Sequence, residues 1–192
     1  MVQGYRRIFW GIFFMTFHFD IGSIQILPVF VGILIIYSGI KYIGEEFECG
    51  HLLKAARFSL LAALASFIGG LMDLGLLNVS EGSLVFVFWL AVISMSEILL
   101  FYYLLCGSVE LLVHYQFSEM AQSYVKKTRG YLIVFALFTV FEVICFTFYF
   151  EAAFTAIAVL GILIRIWLLV IMNALKNTEY AIAEGEEREC NE

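Results

Sequence analysis

The stretch from Ser83 to Tyr115 constrains the fold of this chain more than any other part of the sequence. It runs for 33 residues without a Lys, Arg, Pro or Asn, and as a helix it would be ~50 Å long at ~1.5 Å per residue. The hydrocarbon core of a bilayer is ~30 Å thick, so the stretch predicts a helix that crosses the membrane and extends past one face. Glu97 lies near its middle and must be protonated, paired or turned toward a wet interior, because a bare charge in hydrocarbon is costly.

The composition predicts a small membrane protein with one domain. Of the 192 residues, 62% are hydrophobic and 15% are charged, whereas soluble domains are roughly a quarter charged. The net charge of −6 argues against nucleic acid as a partner, because proteins bind it through clustered Lys and Arg. The four cysteines share no paired spacing, which predicts reduced thiols and neither a metal site nor a cofactor. The expected partner is the lipid bilayer.

Apolar runs separated by polar turns predict an all-α fold of six transmembrane helices in three hairpins. The predicted helices cover residues 5–22, 26–43, 52–77, 83–113, 130–150 and 152–174, in a membrane domain of residues 1–175 followed by an acidic cytoplasmic tail at 176–192. Pro28 suits the first turn of the second helix, where its missing N–H costs nothing. A single broken helix with a re-entrant segment from Asp20 to Leu27 is the alternative to the first hairpin. Residues Gln116 to Gly130 are predicted as a cytoplasmic loop.

The positions of the basic residues predict the orientation in the membrane. If the N-terminus is cytoplasmic, every basic patch is cytoplasmic, and the opposite turns around Ser23, Ser80 and Glu151 contain no Lys or Arg. Both termini are therefore predicted to be cytoplasmic, in a multi-pass protein of a bacterial plasma membrane. Ten of the eleven basic residues form the five patches: Arg6 and Arg7; Lys41; Lys54 and Arg57; Lys126, Lys127 and Arg129; Lys176 and Arg188.

The remaining basic residue, Arg165, lies inside an apolar run and predicts a buried ionic cluster. Glu97 and Arg165 are both ~14 residues, or ~21 Å, from the outer turns, and Glu142 is ~13 Å deep. Equal depth permits a pair between Glu97 and Arg165, with Arg165 shared by Glu142. The cluster either fixes helix packing only, or forms a substrate site, cation site or proton relay between the last three helices.

Two weaker patterns complete the candidate residues. Ala62, Ser66 and Gly70 recur every four residues, which predicts a helix-packing face. An outer rim with no basic residue would raise the local cation concentration, although the predicted topology alone already requires this lack of Lys and Arg. The acidic residues of this rim are Asp20, Asp73, Glu81 and Glu151.

Two classes of function fit these patterns. The first is a transport-type subunit that handles a substrate or an ion at the ionic cluster. The second is an accessory or assembly protein that binds another membrane protein through the stripe from Ala62 to Gly70 and the loop from Gln116 to Gly130. An enzyme is the least favoured class, because the sequence has no H-E-x-x-H, G-x-S-x-G or Walker motif.

Overall fold

A computed structural model describes residues 2–17, 20–21, 24–25, 28–73, 76–77, 83–148 and 151–189, with side chains for 3–17, 28–72, 76–77, 83–148 and 153–177. These residues form six α-helices and one short antiparallel β-ladder. The helices are α1 (Val2–Thr16), α2 (Val29–Glu46), α3 (Gly50–Asp73), α4 (Leu84–His114), α5 (Ser118–Thr147) and α6 (Glu151–Glu189). The ladder pairs β1 (Asp20–Ile21) with β2 (Ile24–Gln25). The prediction of an all-α fold with six helices is confirmed.

The helices form a closed ring of antiparallel neighbours. Each helix packs against the next one in the sequence, and α6 closes the ring by packing against α1. On α5 and α4, for example, Glu142 contacts Ser94 while Tyr131 contacts Phe101, so the chain runs in opposite directions in the two helices. The first residues of α1, α3 and α5 therefore lie at the same end of the ring as the last residues of α2, α4 and α6. The start of α1, the end of α2 and the starts of α3 and α5, which carry basic patches, lie at one end.

Within the described residues, four helices are long and apolar enough to cross a membrane: Gly50–Met72, Leu84–His114, Ser118–Thr147 and Ala153–Asn177. These helices indicate a multi-pass membrane protein. By contrast, α1 has 15 residues, only ~22 Å of helix. The 18 residues of α2 include Lys41, Glu45 and Glu46. The six-span topology and the location of the termini stay predictions.

The predicted loop from Gln116 to Gly130 is wrong, because α5 already begins at Ser118. The connection from α4 is only three residues long, and its φ of 64° at Gln116 reverses the chain. The N–H of Phe117 donates to the carbonyl of Leu112 at 3.0 Å, and that of Gln116 to the carbonyl of Val113 at 3.0 Å. This pair of bonds is a Schellman motif, which ends a helix in a left-handed residue. The basic patch that follows is helical because Ala, Gln, Lys and Arg are strong helix formers.

Two other helix ends differ from the predicted bounds. The backbone of α6 is helical through Glu189, whereas the predicted helix ended at residue 174. The segment beyond residue 174 is rich in Glu, a strong helix former, and has no Pro. α1 ends at Thr16, six residues before the predicted end. The chain then turns back through the β-ladder, in which Asp20 pairs with Gln25. Ser23, the predicted centre of this turn, lies outside the described residues.

Two pairs of glycines allow α1 and α2 to pack with their backbones in contact. A Cβ added at Gly39 would lie 2.7 Å from the carbonyl oxygen of Gly4, and one added at Gly11 would lie 2.7 Å from that of Gly32. Within each helix the two glycines are seven residues apart, so they share one face. This pattern was not among the features predicted from the sequence. It makes the first hairpin a rigid unit that brings the end of α1 against α6.

We expect Gly39→Ala to lower the free energy of unfolding by about 1–3 kcal/mol, because its methyl group would push the α1 backbone away. Gly44→Ala, in the same helix, is the matched control. A Cβ there meets nothing within 4 Å, so alanine stabilises the helix by about 0.5–1 kcal/mol. Reversible unfolding of both variants in detergent micelles measures the difference. Equal stability of the two variants would contradict the tight backbone packing.

Candidate functional site

The three residues of the predicted ionic cluster line one cavity. Glu97 comes from α4, Glu142 from α5 and Arg165 from α6, and the cavity has a volume of about 510 Å³. Thr16, at the end of α1, also lines it. The four helices that surround the cavity are therefore α1, α4, α5 and α6, and its size suits a small molecule or a hydrated ion.

Glu97 and Arg165 form a direct ion pair across the cavity. The guanidinium Nη2 lies 3.2 Å from Oε2 of Glu97 and 3.4 Å from its Oε1. Glu97 is 4% exposed, so removing Arg165 would leave a carboxylate that solvent barely reaches. The pair forms because both residues lie at similar distances along their helices, ~20 Å from the first residues of α4 and α6.

Arg165 also binds the end of α1. Its Nη1 donates a hydrogen bond of 3.3 Å to the carbonyl oxygen of Met15. The last four carbonyls of a helix have no partner within the helix, and the C-terminal end of the helix dipole is negative. The guanidinium therefore satisfies one of these carbonyls and neutralises the helix end. α1 ends beside Arg165, whereas α4 and α6 extend ~20 Å further, to their first residues.

Glu142 has a different partner from the one that the sequence predicted. Its Oε2 accepts a hydrogen bond of 3.1 Å from the hydroxyl of Ser94, which lies one turn before Glu97 on α4. Glu142 therefore lies nearer than Glu97 to the first residue of α4, in agreement with its shallower predicted depth. It still interacts electrostatically with both Glu97 and Arg165. With all three groups ionised, the cluster carries one uncompensated negative charge.

Polar residues continue from the cavity along the buried face of α5, and the sequence analysis did not identify them. These residues are Thr128, Tyr131 and Thr139, and each is at most 6% exposed. Together with Glu142 they are separated by three, eight and three residues, which places all four on one face of the helix. The hydroxyl of Thr139 donates to the carbonyl of Phe135 at 3.0 Å. Among the described residues, the hydroxyls of Tyr131 and Thr128 have no hydrogen-bond partner. A buried polar group without a partner costs about 1–3 kcal/mol.

The structure does not describe the side chains of the predicted outer acidic rim. Glu81 lies outside the described residues altogether. For Asp20, Asp73 and Glu151, only the backbone is described, in β1, at the end of α3 and at the start of α6. The cation-attracting role of the rim stays a prediction.

The small-residue stripe of α3 is packed at one end and open at the other. Ala62 is fully buried, whereas a Cβ added at Gly70 would meet nothing within 4 Å. Between them, the buried hydroxyl oxygen of Ser66 has no hydrogen-bond partner among the described residues. The open end of the stripe, at Gly70, lies in the last turn of α3. The role of the stripe as a packing face stays a prediction.

The groups that line this cavity can accept protons and can coordinate cations. Carboxylates and hydroxyls accept protons and coordinate hard cations, and Arg165 fixes the position of one carboxylate. Comparison of the chain with protein-family models, with curated proteins and with solved structures finds no match in any of the three.

We expect the charges of Glu97 and Arg165 to be coupled in stability. Glu97→Gln and Arg165→Gln each leave a buried charge without its partner, which lowers the free energy of unfolding by about 3–5 kcal/mol. The double variant loses less than the sum, by about 1–3 kcal/mol. Unfolding in detergent measures all three, with exposed Glu119→Gln as a control expected to change the stability by less than ~0.5 kcal/mol. Additive losses would contradict the ion pair.

Proposed function

We propose that the chain is a six-span membrane subunit that handles a cation or a proton in the cavity between α1, α4, α5 and α6. The observation that carries this proposal is the excess of acid over base in a cavity of about 510 Å³. Arg165 compensates Glu97, whereas Glu142 accepts a hydrogen bond from the neutral hydroxyl of Ser94. A second carboxylate is expensive to retain at membrane depth for packing alone. A bound cation or proton would compensate it.

The short first helix supports the same proposal. A helix that ends at membrane depth exposes carbonyl groups that lipid cannot satisfy, so such ends occur where they are buried in protein or line a cavity. In many transporters, broken helices end at the substrate site, and their C-terminal carbonyls help to bind the cation. Here α1 ends with Thr16 in the lining of the cavity, and Met15 already binds a resident cationic group, Arg165.

The polar face of α5 gives the proposed site a connection toward the opposite end of the ring. On that face Tyr131 lies about one turn before Phe135, which lines the cavity, and Thr128 lies about one turn further away. Hydroxyl groups can donate and accept protons, and relays in pumps and transporters are built from such chains. We propose that Tyr131 and Thr128 belong to the path of the transported proton or of the water that accompanies the cation.

The second candidate function is an accessory protein that binds another membrane protein. The open space beside Gly70 favours it, because a second helix could approach α3 closely there. The loop that was expected to supply a further contact is helical from Ser118. This candidate therefore rests on the stripe alone and is the weaker of the two.

The proposed topology predicts which positions are accessible from outside the cell. In a chain whose four native cysteines are replaced by serine, we expect a membrane-impermeant maleimide on intact cells to label Ser80→Cys and not Lys126→Cys. After permeabilisation, both variants are labelled. Labelling of Lys126→Cys in intact cells would place the basic end outside and would contradict the topology.

We expect Glu142 to be the residue on which cation handling depends. In proteoliposomes with an imposed membrane potential, the wild-type chain should conduct protons or Na⁺ faster than protein-free liposomes, and Glu142→Gln should lower the flux at least ~10-fold because it removes the uncompensated carboxylate. A hydrophobic carbodiimide, which reacts with protonated carboxyl groups in membranes, should modify Glu142 in preference to Glu97. Mass spectrometry of the labelled peptides checks this second result.

The control for both measurements is Glu119→Gln, which removes an exposed carboxylate in the first turn of α5 and should match the wild type. Protection of Glu142 from the carbodiimide by added Na⁺ would identify a cation as the occupant, and protection by high pH alone would identify a proton. Absence of both flux and Glu142 labelling would overturn the proposal and leave the accessory role.

A further inference from the structure

A second cluster of reactive side chains lies where the start of α3 meets the last third of α4. The Sγ of Cys49 lies 2.6 Å from Oε2 of Glu110, and Nδ1 of His51 lies 2.7 Å from Oε1 of the same carboxylate. One atom from each residue, namely thiol, imidazole and carboxylate, lies within 4.8 Å of the other two. The sequence predicted no metal site because its cysteines share no paired spacing, but in the fold Cys49 and His51 both lie beside Glu110.

Close helix packing brings these three residues together. A Cβ added at Gly107 of α4 would lie 2.8 Å from the side chain of Leu52, so only glycine allows the first turn of α3 to approach so closely. Glu110 lies one turn further along α4 and reaches the residues that flank this contact. Cys49 is fixed as well, because its carbonyl accepts the N–H of Leu53 at 3.1 Å and so begins α3.

We propose that Cys49, His51 and Glu110 bind a divalent metal ion of the zinc class. Thiolate, imidazole and carboxylate are the three ligand types of protein zinc sites, and three protein ligands leave a fourth position for water or another ligand. A soft thiolate disfavours Mg²⁺ and Ca²⁺, which prefer oxygen ligands. This site goes beyond the proposed function, since it lies at the opposite end of the ring from the cation cavity.

The hydrogen bonds within the cluster are short enough for a metal ion to replace them with little movement. Tetrahedral bonds of ~2.0–2.3 Å separate ligand atoms by ~3.3–3.8 Å, so the carboxylate must move by only about an ångström from its two partners. The ion takes the place of the thiol proton, which is released to solvent, and it forms bonds to the sulfur and to Glu110. The Nδ1 proton of a neutral His51 moves to Nε2, which frees Nδ1 for the metal.

The surroundings of Cys49 give a metal ion access to the cluster and keep the thiol protonated until the ion binds. A cavity of about 620 Å³ reaches Cys49 from the side of α2, and Glu45 and Glu48 line it with Lys41. The side chains of His51 and Glu110 are 36% and 47% exposed, so a hydrated ion has access. Burial raises the pKa of the Cys49 thiol, and its hydrogen bond to Glu110 raises this pKa further. Without metal the thiol is thus a weak nucleophile at neutral pH, and a bound divalent ion would deprotonate it.

Titration of the purified full chain tests this site. The protein is prepared in detergent without a histidine tag, treated with a chelator, and titrated with Zn²⁺ by calorimetry and with Co²⁺ by absorption spectroscopy. We expect one ion per chain, and a cobalt spectrum with the thiolate charge-transfer band of a tetrahedral site. Cys49→Ser, His51→Asn and Glu110→Gln should each weaken binding at least ~10-fold.

Matched controls separate this cluster from the other thiols and imidazoles of the chain. Cys145→Ser removes a buried thiol of α5, and His114→Asn removes an imidazole that packs against Phe47 with the rings tilted by 48°. Both variants should bind the metal as the wild type does. Weakening by His114→Asn equal to that by His51→Asn would overturn the proposal. So would the absence of stoichiometric binding, or a cobalt spectrum without the thiolate band.

A measurement on the wild-type chain covers the case in which a variant does not fold. Zn²⁺ should slow the alkylation of Cys49 by maleimide at least ~10-fold, because the metal holds the sulfur in a bond. Alkylation of Cys106, one turn before Glu110 on α4, should keep its rate. Peptide mapping by mass spectrometry reports both cysteines in one sample. Equal rates at Cys49 with and without Zn²⁺ would overturn the proposal.

Discussion

The guanidinium of Arg165 is the group on which the interior of this protein depends. It lies in a helix that is otherwise apolar for most of its length, where an isolated charge is unstable. Its two partners, the carboxylate of Glu97 and the carbonyl of Met15, belong to helices that are far apart in the sequence. One side chain thereby fixes α6 to α4 and to the end of α1. Lipid gives no hydrophobic force that would hold these helices together, so such polar contacts and close packing must do so.

The glycine pairs of the first hairpin make that arrangement possible. Because the backbones of α1 and α2 touch at Gly4 with Gly39 and at Gly11 with Gly32, the hairpin has little freedom to slide. The end of α1 is therefore presented to Arg165 at a defined position. Tyr5 strengthens the same unit from inside, since its hydroxyl donates to Ser108 of α4 at 2.8 Å. Packing of small residues and satisfaction of polar groups are thus two parts of one solution.

The sequence predicts those features that follow from regular helix geometry. The meeting of Glu97 with Arg165 follows from a constant rise per residue, and the start of α4 follows from Ser83, which caps it by accepting the N–H of Phe86 at 3.2 Å. The end of α1 at Thr16 was not predictable in the same way, because a tertiary partner, Arg165, satisfies one of its final carbonyls. The early start of α5 depends on a left-handed Gln116, a conformation that glycine adopts far more often. Cys49 and Glu110 meet only because Gly107 lets two helices approach, which no local spacing reveals.

The two proposed sites share α4, and this limits how they can influence each other. Glu97 and Glu110 are thirteen residues apart, which is ~20 Å along one continuous helix, and they face different neighbours, α6 and α3. A metal ion at Glu110 would pull α3 and α4 together at Gly107, where the two helices already touch. The cavity would respond only if this contact shifted α4 as a rigid rod relative to Arg165 on α6. Such a coupling is reciprocal, so a cation in the cavity would change the affinity for the metal by the same factor as the metal changes the affinity for the cation.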